Sequence, residues 1–214
     1  MESDLKKFLM NTEYVDFWEP AVQAKARELF PDQMNDIQKT ETAFLFVRDE
    51  VKHSFDIEAA VITSKASDVL KYKTGICHAK SNLLAALLRS QGIPAGFRFE
   101  YLRFGKENAR GFCIHAFNAV LLNHEWIEMD ARGNKAGVDA QFSMTEKQLA
   151  FLPREEYGEF FIDGIYAEPD LVTMKILNQA NSLQDVREEL RMSTEQSRSM
   201  LGSRSEGEVV WRER

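Results

Sequence analysis

The run Leu83-Leu84-Ala85-Ala86-Leu87-Leu88 constrains this chain more than any other feature. In the surrounding stretch, Cys77 to Ser90, Leu83, Leu84, Leu87 and Leu88 fall on one broad helical face, and a helix this rich in Leu and Ala is normally buried. Its ends are marked. Thr74-Gly75 turns the chain just before it, Arg89 sits in its last turn, Gly92 suits a left-handed cap, and Pro94 cannot continue a helix. The helix therefore starts at or beside Cys77, and the rest of the chain must supply layers that cover it. The run is far short of the ~20 apolar residues that cross a bilayer.

Those layers are legible on both sides. Upstream, Ile37, Thr40, Phe44, Val47 and Val51 recur at helical steps from Asn35 onward, and Val15 to Phe30 reads as a second helix ended by Pro31. Downstream the period changes to two. Phe97, Phe99 and Tyr101 alternate with Arg98, Glu100 and Leu102, as in a strand. After a polar loop, Gly105 to Gly111, two more strands are predicted over Ile114 to Leu122 and Glu125 to Asp130, joined at Asn123-His124. Helical spacing returns from Asp170 to Met192, where Ser182 and Asp185 resemble a capping box. Consecutive strands after a helix predict an α+β fold. The expected organisation is one domain over residues 1–192, with a core at about 40–135, a helical lead-in over 1–60 and C-terminal helices over 168–192. The Ser-rich, mixed-charge stretch 193–214, with Val209-Val210-Trp211 inside it, is expected to be a disordered tail.

Charge narrows the function classes. The chain of 214 residues carries 34 acidic against 27 basic side chains, a net charge of −7. Phosphate-backbone binding needs concentrated positive charge, so no nucleic-acid partner is expected. Met1 to Phe8 mix both charge signs without an apolar secretory core, which predicts a cytoplasmic protein without a membrane partner. Cys77 and Cys113 are the two cysteines, too few for a disulfide framework in a chain of this size, and both are expected as free thiols. No calcium or nucleotide motif is visible, so no cofactor is expected.

Cys77 is placed for thiol chemistry. Exposed N–H groups and the positive end of a helix dipole would face its sulfur, and such a setting lowers a thiol pKa from about 8.5 into the range of roughly 3.5–7.5. The same N–H groups suit the oxyanion of a tetrahedral intermediate. Thiol catalysis also needs a proton carrier and a group that orients it. With Asn123 and His124 as a two-residue turn, Leu122 faces Glu125, Phe117 faces Asp130 and His115 faces Arg132. His115 and Asp130 are then diagonal neighbours on one face, about 7–8 Å apart at the backbone and within side-chain reach. A three-residue turn would put them on opposite faces.

The runs Ala66-Ser67-Asp68-Val69-Leu70, Gly75-Ile76-Cys77-His78-Ala79-Lys80-Ser81 and Gly92-Ile93-Pro94-Ala95, followed by His115-Ala116-Phe117-Asn118 and Glu125-Trp126-Ile127-Glu128-Met129-Asp130, resemble the transglutaminase-like superfamily of cysteine hydrolases and acyltransferases. The resemblance covers roughly residues 40–135. It implies a papain-like core in which a cysteine-bearing helix packs on an antiparallel sheet. By position it implies Cys77 as nucleophile, His115 as general base and acid, and Asp130 as the residue orienting it. Phe117 and Ala119 stand where members often carry Trp and an acidic residue, a difference that touches substrate preference. The implied reaction is acyl transfer from an amide through a thioester on Cys77. Water as acceptor makes the protein a peptidase or amidase; an amine makes it a transamidase. Substrates would be peptides, proteins or small amides.

Other residues have competing readings. His53 sits where the family often carries a group near the cleft, and is a candidate oxyanion donor. His78 projects about 100° from Cys77 around the helix, so it is expected to line the cleft and not to serve as the base. Trp126, on the Asp130 face of the hairpin, is expected to pack in the core and shield the imidazole–carboxylate pair. Cys113 is expected in the core or at a strand start, Phe99 and Tyr101 in sheet packing, and His124 in a solvated turn. Arg98, Arg103 and Arg110 are candidates for flanking the cleft. Two alternatives compete with catalysis. Cys77, His78, Cys113 and His115 could ligate zinc, although their spacing lacks the usual short ligand pairs, or the fold could serve as a binding module without turnover.

Overall fold

Burial of the Leu-rich helix organises the molecule. The computed structural model describes residues 5–103 and 111–201, with side chains as far as Thr194. Four helices precede the sheet: α1 (Pro20–Leu29), α2 (Asp36–Leu45), α3 (Ala66–Tyr72) and α4 (Cys77–Arg89). Every residue of α4 from His78 to Arg89 is buried, because α1, α2 and α3 cover it on one side and the sheet on the other.

Local chemistry explains the boundaries. Pro20 opens α1, where its missing N–H costs nothing. The helix expected from Val15 therefore starts later, and the preceding turn is held by Asn11 Oδ1 accepting from the Trp18 amide at 2.9 Å. Asn35 and Gln38 form a reciprocal capping box on α2, and the chain then widens into a π-turn over Phe46–Glu50. Two short strands, β1 (Lys52–His53) and β2 (Thr74–Gly75), pair in parallel, with His53 opposite Gly75. A Cβ on Gly75 would lie 3.1 Å from Ala79 Cβ and 3.2 Å from Thr63 Oγ1, so glycine lets this pair close against the start of α4.

The main sheet contains β3 (Ala95–Arg103), β4 (Phe112–Leu122), β5 (Glu125–Met129) and β6 (Phe160–Tyr166), all antiparallel in the order β5-β4-β3-β6. Asn123 and His124, both with positive φ, form the two-residue turn between β4 and β5. Leu122 faces Glu125 and Asn118 faces Met129, the register that the hairpin spacing predicts. The cysteine-bearing helix packs on this sheet: Asn118 donates from Nδ2 to the Ser81 carbonyl on α4 at 3.1 Å. The fold is α+β, as expected.

Two helices close the described chain, α5 (Leu171–Gln179) and α6 (Leu183–Leu201). Ser182 Oγ accepts from the Asp185 amide at 3.1 Å, and the Asp185 carboxylate accepts in return from the Asn181 amide at 3.1 Å. The expected tail from residue 193 is corrected in part, since α6 runs through Leu201. Residues 202–214, including Val209-Val210-Trp211, and most of the polar loop, 104–110, lie outside the described residues. Among the described residues, no helix is long and apolar enough to cross a membrane.

Candidate active site

The tip of α4 meets the sheet where β5 has ended. Pairing of β4 with β5 stops at Asn118 and Met129, so His115 has no strand partner on that side and the chain after Met129 turns in beside it. Asp130 occupies that turn. His115 Nε2 donates to Asp130 Oδ2 at 2.8 Å, and both residues are buried. Asp130 is fixed in place by two further donors: the Arg132 amide to Oδ1 at 2.9 Å and the Ala150 amide to Oδ2 at 3.1 Å. The ring of Phe151 stands edge-on to the imidazole at 5.2 Å and screens it from water.

With Nε2 engaged by Asp130, His115 shares the cleft with Cys77, and the two side chains are close enough to shift each other's protonation in opposite directions. Burial alone would hold the thiol protonated. The charges of His115 and His78, and hydrogen bonds with His115 and His53, outweigh it and pull the Cys77 thiol well below its ordinary range. For His115 the balance runs the other way. Burial disfavours the imidazolium, but Asp130 and the Cys77 sulfur raise its pKa well above the usual histidine value. Asp130, although buried, is held below its usual carboxylate value by His115 and by the amides of Arg132 and Ala150. The three shifts run in the direction of a thiolate–imidazolium pair backed by a carboxylate.

His53 completes the ring of groups around the sulfur. It is buried at 8% exposure, and that burial lowers its pKa from the ordinary histidine value while Cys77 opposes the shift. Among the described residues its Nδ1 has no hydrogen-bond partner. The apolar N-cap of α4, Ile76, offers no side chain to the first-turn amides, so those N–H groups remain available beside Cys77.

A cleft of about 780 Å³ opens on this group. His53, Cys77, His78 and His115 line it, with Phe151 and Leu152 on one wall and Arg187 and Leu190 of α6 on another. The Arg187 guanidinium lies over the Phe55 ring at 5.0 Å. Its lining mixes apolar side chains with charged ones, Asp56, Arg103, Arg132, Lys135, Arg154 and Glu159 among them.

The structure brings together Cys77, His115, Asp130, His53 and His78. His78 lines the cleft but turns Nε2 to the Ile114 carbonyl at 3.0 Å. The zinc set of Cys77, His78, Cys113 and His115 is not assembled among the described residues. Among the described residues no three His, Cys, Asp or Glu side chains converge as metal ligands. Trp126 is not at the site. It packs against Phe8 at 4.8 Å, paired with Leu121 at the turn end of the hairpin, and so shields neither imidazole nor carboxylate. Cys113 lies at the start of β4, one of the two placements expected for it, and lines the cleft; burial pushes its thiol up to about 12. Arg103 lines the cleft, Arg98 instead pairs with Glu128 at 3.0 Å, and Arg110 lies outside the described residues.

Several supporting residues were not anticipated. Lys80, one turn along α4 from Cys77, is 1% exposed. It donates to the Val51 carbonyl and to the Arg132 carbonyl at 2.8 Å, tying α4 to the turn that carries Asp130. Arg132 in turn forms a bidentate pair with Asp56, at 2.6 and 2.9 Å. A lysine in the middle of an apolar helix was the available signal for the first of these.

Comparison with known proteins assigns a family. A family model described as the transglutaminase-like superfamily matches residues 23–131. A search of curated proteins finds no match. Among solved structures, one from Cytophaga hutchinsonii, named a "Putative Cysteine Protease", is similar at 22% identity with a TM-score of 0.47; the match covers 62% of this chain and 43% of that one. The chain thus spans less than half the length of that protein. The family match takes in α4, the β4–β5 hairpin and the turn after Met129 through Ala131, and by it this chain belongs to the transglutaminase-like superfamily.

Proposed function

We propose that this protein is a cysteine-dependent hydrolase or acyltransferase that cleaves amide bonds through a thioester on Cys77. One observation carries the reading: Cys77 and His115 line one cleft and perturb each other electrostatically, and the His115 imidazole donates to the buried Asp130 carboxylate at 2.8 Å. The Cys77 thiolate attacks the substrate carbonyl and forms the C–S bond. Negative charge moves to the carbonyl oxygen, for which the Cys77 amide and the His53 side chain are the proposed donors. Collapse of the intermediate breaks the C–N bond, and the imidazolium gives its proton to the leaving amine. His115, now neutral, takes a proton from water or from an acceptor amine, which attacks the thioester and regenerates the thiolate. Asp130 keeps the imidazole oriented through both half-reactions.

The test is direct trapping. The intact protein is incubated with an amide-library pool and with an acyl electrophile probe, then quenched and digested. The reading requires a hydroxylamine-labile acyl adduct on the peptide containing Cys77, absent in Cys77→Ala, and release of amine product. A protein that binds such amides without turnover and never acylates is a binding module, and the proposal fails. Products formed with water alone or with added amines then separate amidase from transamidase.

A further inference from the structure

A second carboxyl faces the imidazole. Glu100 lies on β3 directly opposite His115 on β4, so both side chains leave the sheet on one face. Its Oε1 is 3.9 Å from His115 Nε2, the nitrogen that donates to Asp130. Glu100 is fully buried, and among the described residues neither carboxyl oxygen has a hydrogen-bond partner. On its other side, β6 presents Phe161 in register, an apolar ring. A fully buried carboxyl without a donor costs stability, and such a group in a folded protein calls for a functional explanation.

The charges around it are mixed. His115 and Cys113 face it from β4, Cys77 from α4, Asp130 from the turn after β5, and Glu159 from the start of β6. Arg98, two residues earlier on its own strand, is turned to Glu128. Burial pushes Glu100 up; His115 opposes this, while Asp130, Cys77 and Glu159 add to it, and the carboxyl rises to about 8. At pH 7 it is therefore a neutral acid beside a charged relay.

We propose that Glu100 is a positioning residue of the acyl-transfer centre, a second carboxyl that sets the proton affinity of His115 by being neutral during turnover and charged when the site is switched off. The proposal rests on the reading of Cys77 and His115 as a thiolate–imidazolium pair. While Glu100 holds its proton, Asp130 alone stabilises the imidazolium, which can still release a proton to the leaving amine. Once Glu100 ionises, two carboxylates share one Nε2–H. The imidazolium becomes a weaker acid in acylation and is slower to revert to the neutral base that deacylation needs. Activity then falls on the alkaline side for a reason independent of the thiol.

The test reads the groups and not turnover, so it survives failure of the amidase assignment. His115 is followed by 15N NMR and Cys77 by its alkylation rate with iodoacetamide across pH 5–10 (a range chosen to bracket the ordinary histidine and thiol values), in wild type and Glu100→Gln. Wild type should show an inflection in both near pH 8, the point to which Glu100 is raised. Glu100→Gln should lose that inflection, and its imidazolium should titrate at least about one pH unit lower, the effect of removing an opposite charge at this range. Coincident profiles for the two proteins would overturn the proposal. If Glu100→Gln does not fold, infrared difference spectra of wild type decide it. Loss of a protonated-carboxyl band between pH 7 and 9 supports a neutral buried acid, and its absence rejects one. A normal titration of both groups without any amide cleavage retains the Glu100 assignment and rejects the proposed function.

Discussion

His115 and Asp130 are joined at 2.8 Å without being strand partners. The pairing of β4 with β5 has already ended at Asn118 and Met129, and Asp130 reaches the imidazole diagonally from the first residue beyond it. The link depends on a turn of two residues, since one more would rotate Asp130 to the other face. Inserting a single glycine between Asn123 and His124 should therefore lower kcat by at least about 10³-fold, while circular dichroism stays near wild type. Asp130→Asn should cause a loss of similar or greater size, on the order of 10⁴-fold, as expected when the imidazole loses its orienting carboxylate.

The two thiols should separate cleanly by reactivity. Cys77 is pulled well below its ordinary range by His115 and His78 against its burial, whereas burial drives Cys113 to about 12. Iodoacetamide at pH 6 should label one cysteine per chain, identified as Cys77 by peptide mass spectrometry. In His115→Ala the alkylation midpoint should rise toward about 8.5, the value of an unassisted thiol. Equal labelling of both cysteines would show that the site does not activate Cys77.

Removal of the His53 donor should affect the chemical step more than substrate binding. His53→Ala should reduce kcat by about 10²- to 10³-fold with little change in KM, the size expected for one oxyanion donor. The Cys77 peptide should still alkylate at pH 6, because His115 remains. A rise in KM with kcat intact would assign His53 to binding.

Lys80 should prove a structural cation and not a chemical one. Its ammonium donates to the Val51 and Arg132 carbonyls, so Lys80→Met would leave buried acceptors unmet. A loss of about 1–3 kcal/mol in denaturant unfolding is expected, together with weakened activity as the Asp130 turn loosens. Equal stability of the two proteins would mean that the carbonyls find other donors.

Glu100 gives the fold its own pH dependence. Its carboxyl is raised from 4.5 to about 8, so between these values the unfolded chain has released a proton that the native protein keeps. The native state then binds more protons, and its stability falls as pH rises through this window, by up to ~1.4 kcal/mol per pH unit for one fully shifted group. Asp130 has the opposite sign: held below its ordinary 3.8, it contributes above that value and is lost as pH falls through its lowered native pKa. Thermal unfolding of Glu100→Gln should lose the decline between pH 5 and 8 while retaining the acid limb.

Much of this arrangement was legible in the residues themselves. The Leu-rich helix declared its burial and both of its ends, and the Asn123-His124 turn set a register from which the His115–Asp130 link follows. Other parts lacked a periodic signal. β1 and β2 are two residues each, too short to show alternation. β6 carries Asp163 and Gly164 in its middle and follows a long irregular stretch. Glu100 was concealed for a different reason: in a strand alternating Phe, Arg, Phe, Glu and Tyr, the charged positions read as the solvent face. In the structure β3 is flanked by β4 and β6 and is buried on both faces through most of its length. Trp126 shows the converse, since sharing the Asp130 face places it on the same side of the hairpin but not at the same end.

Arg187 and Leu190 of α6 wall the cleft, although the groups that surround the sulfur are all encoded by residue 130. During synthesis the nucleophile and its relay thus leave the ribosome well before the helix that fences them. On the proposed reading, fusions or truncations that disturb the last helix would alter what the cleft admits while sparing the groups around the sulfur.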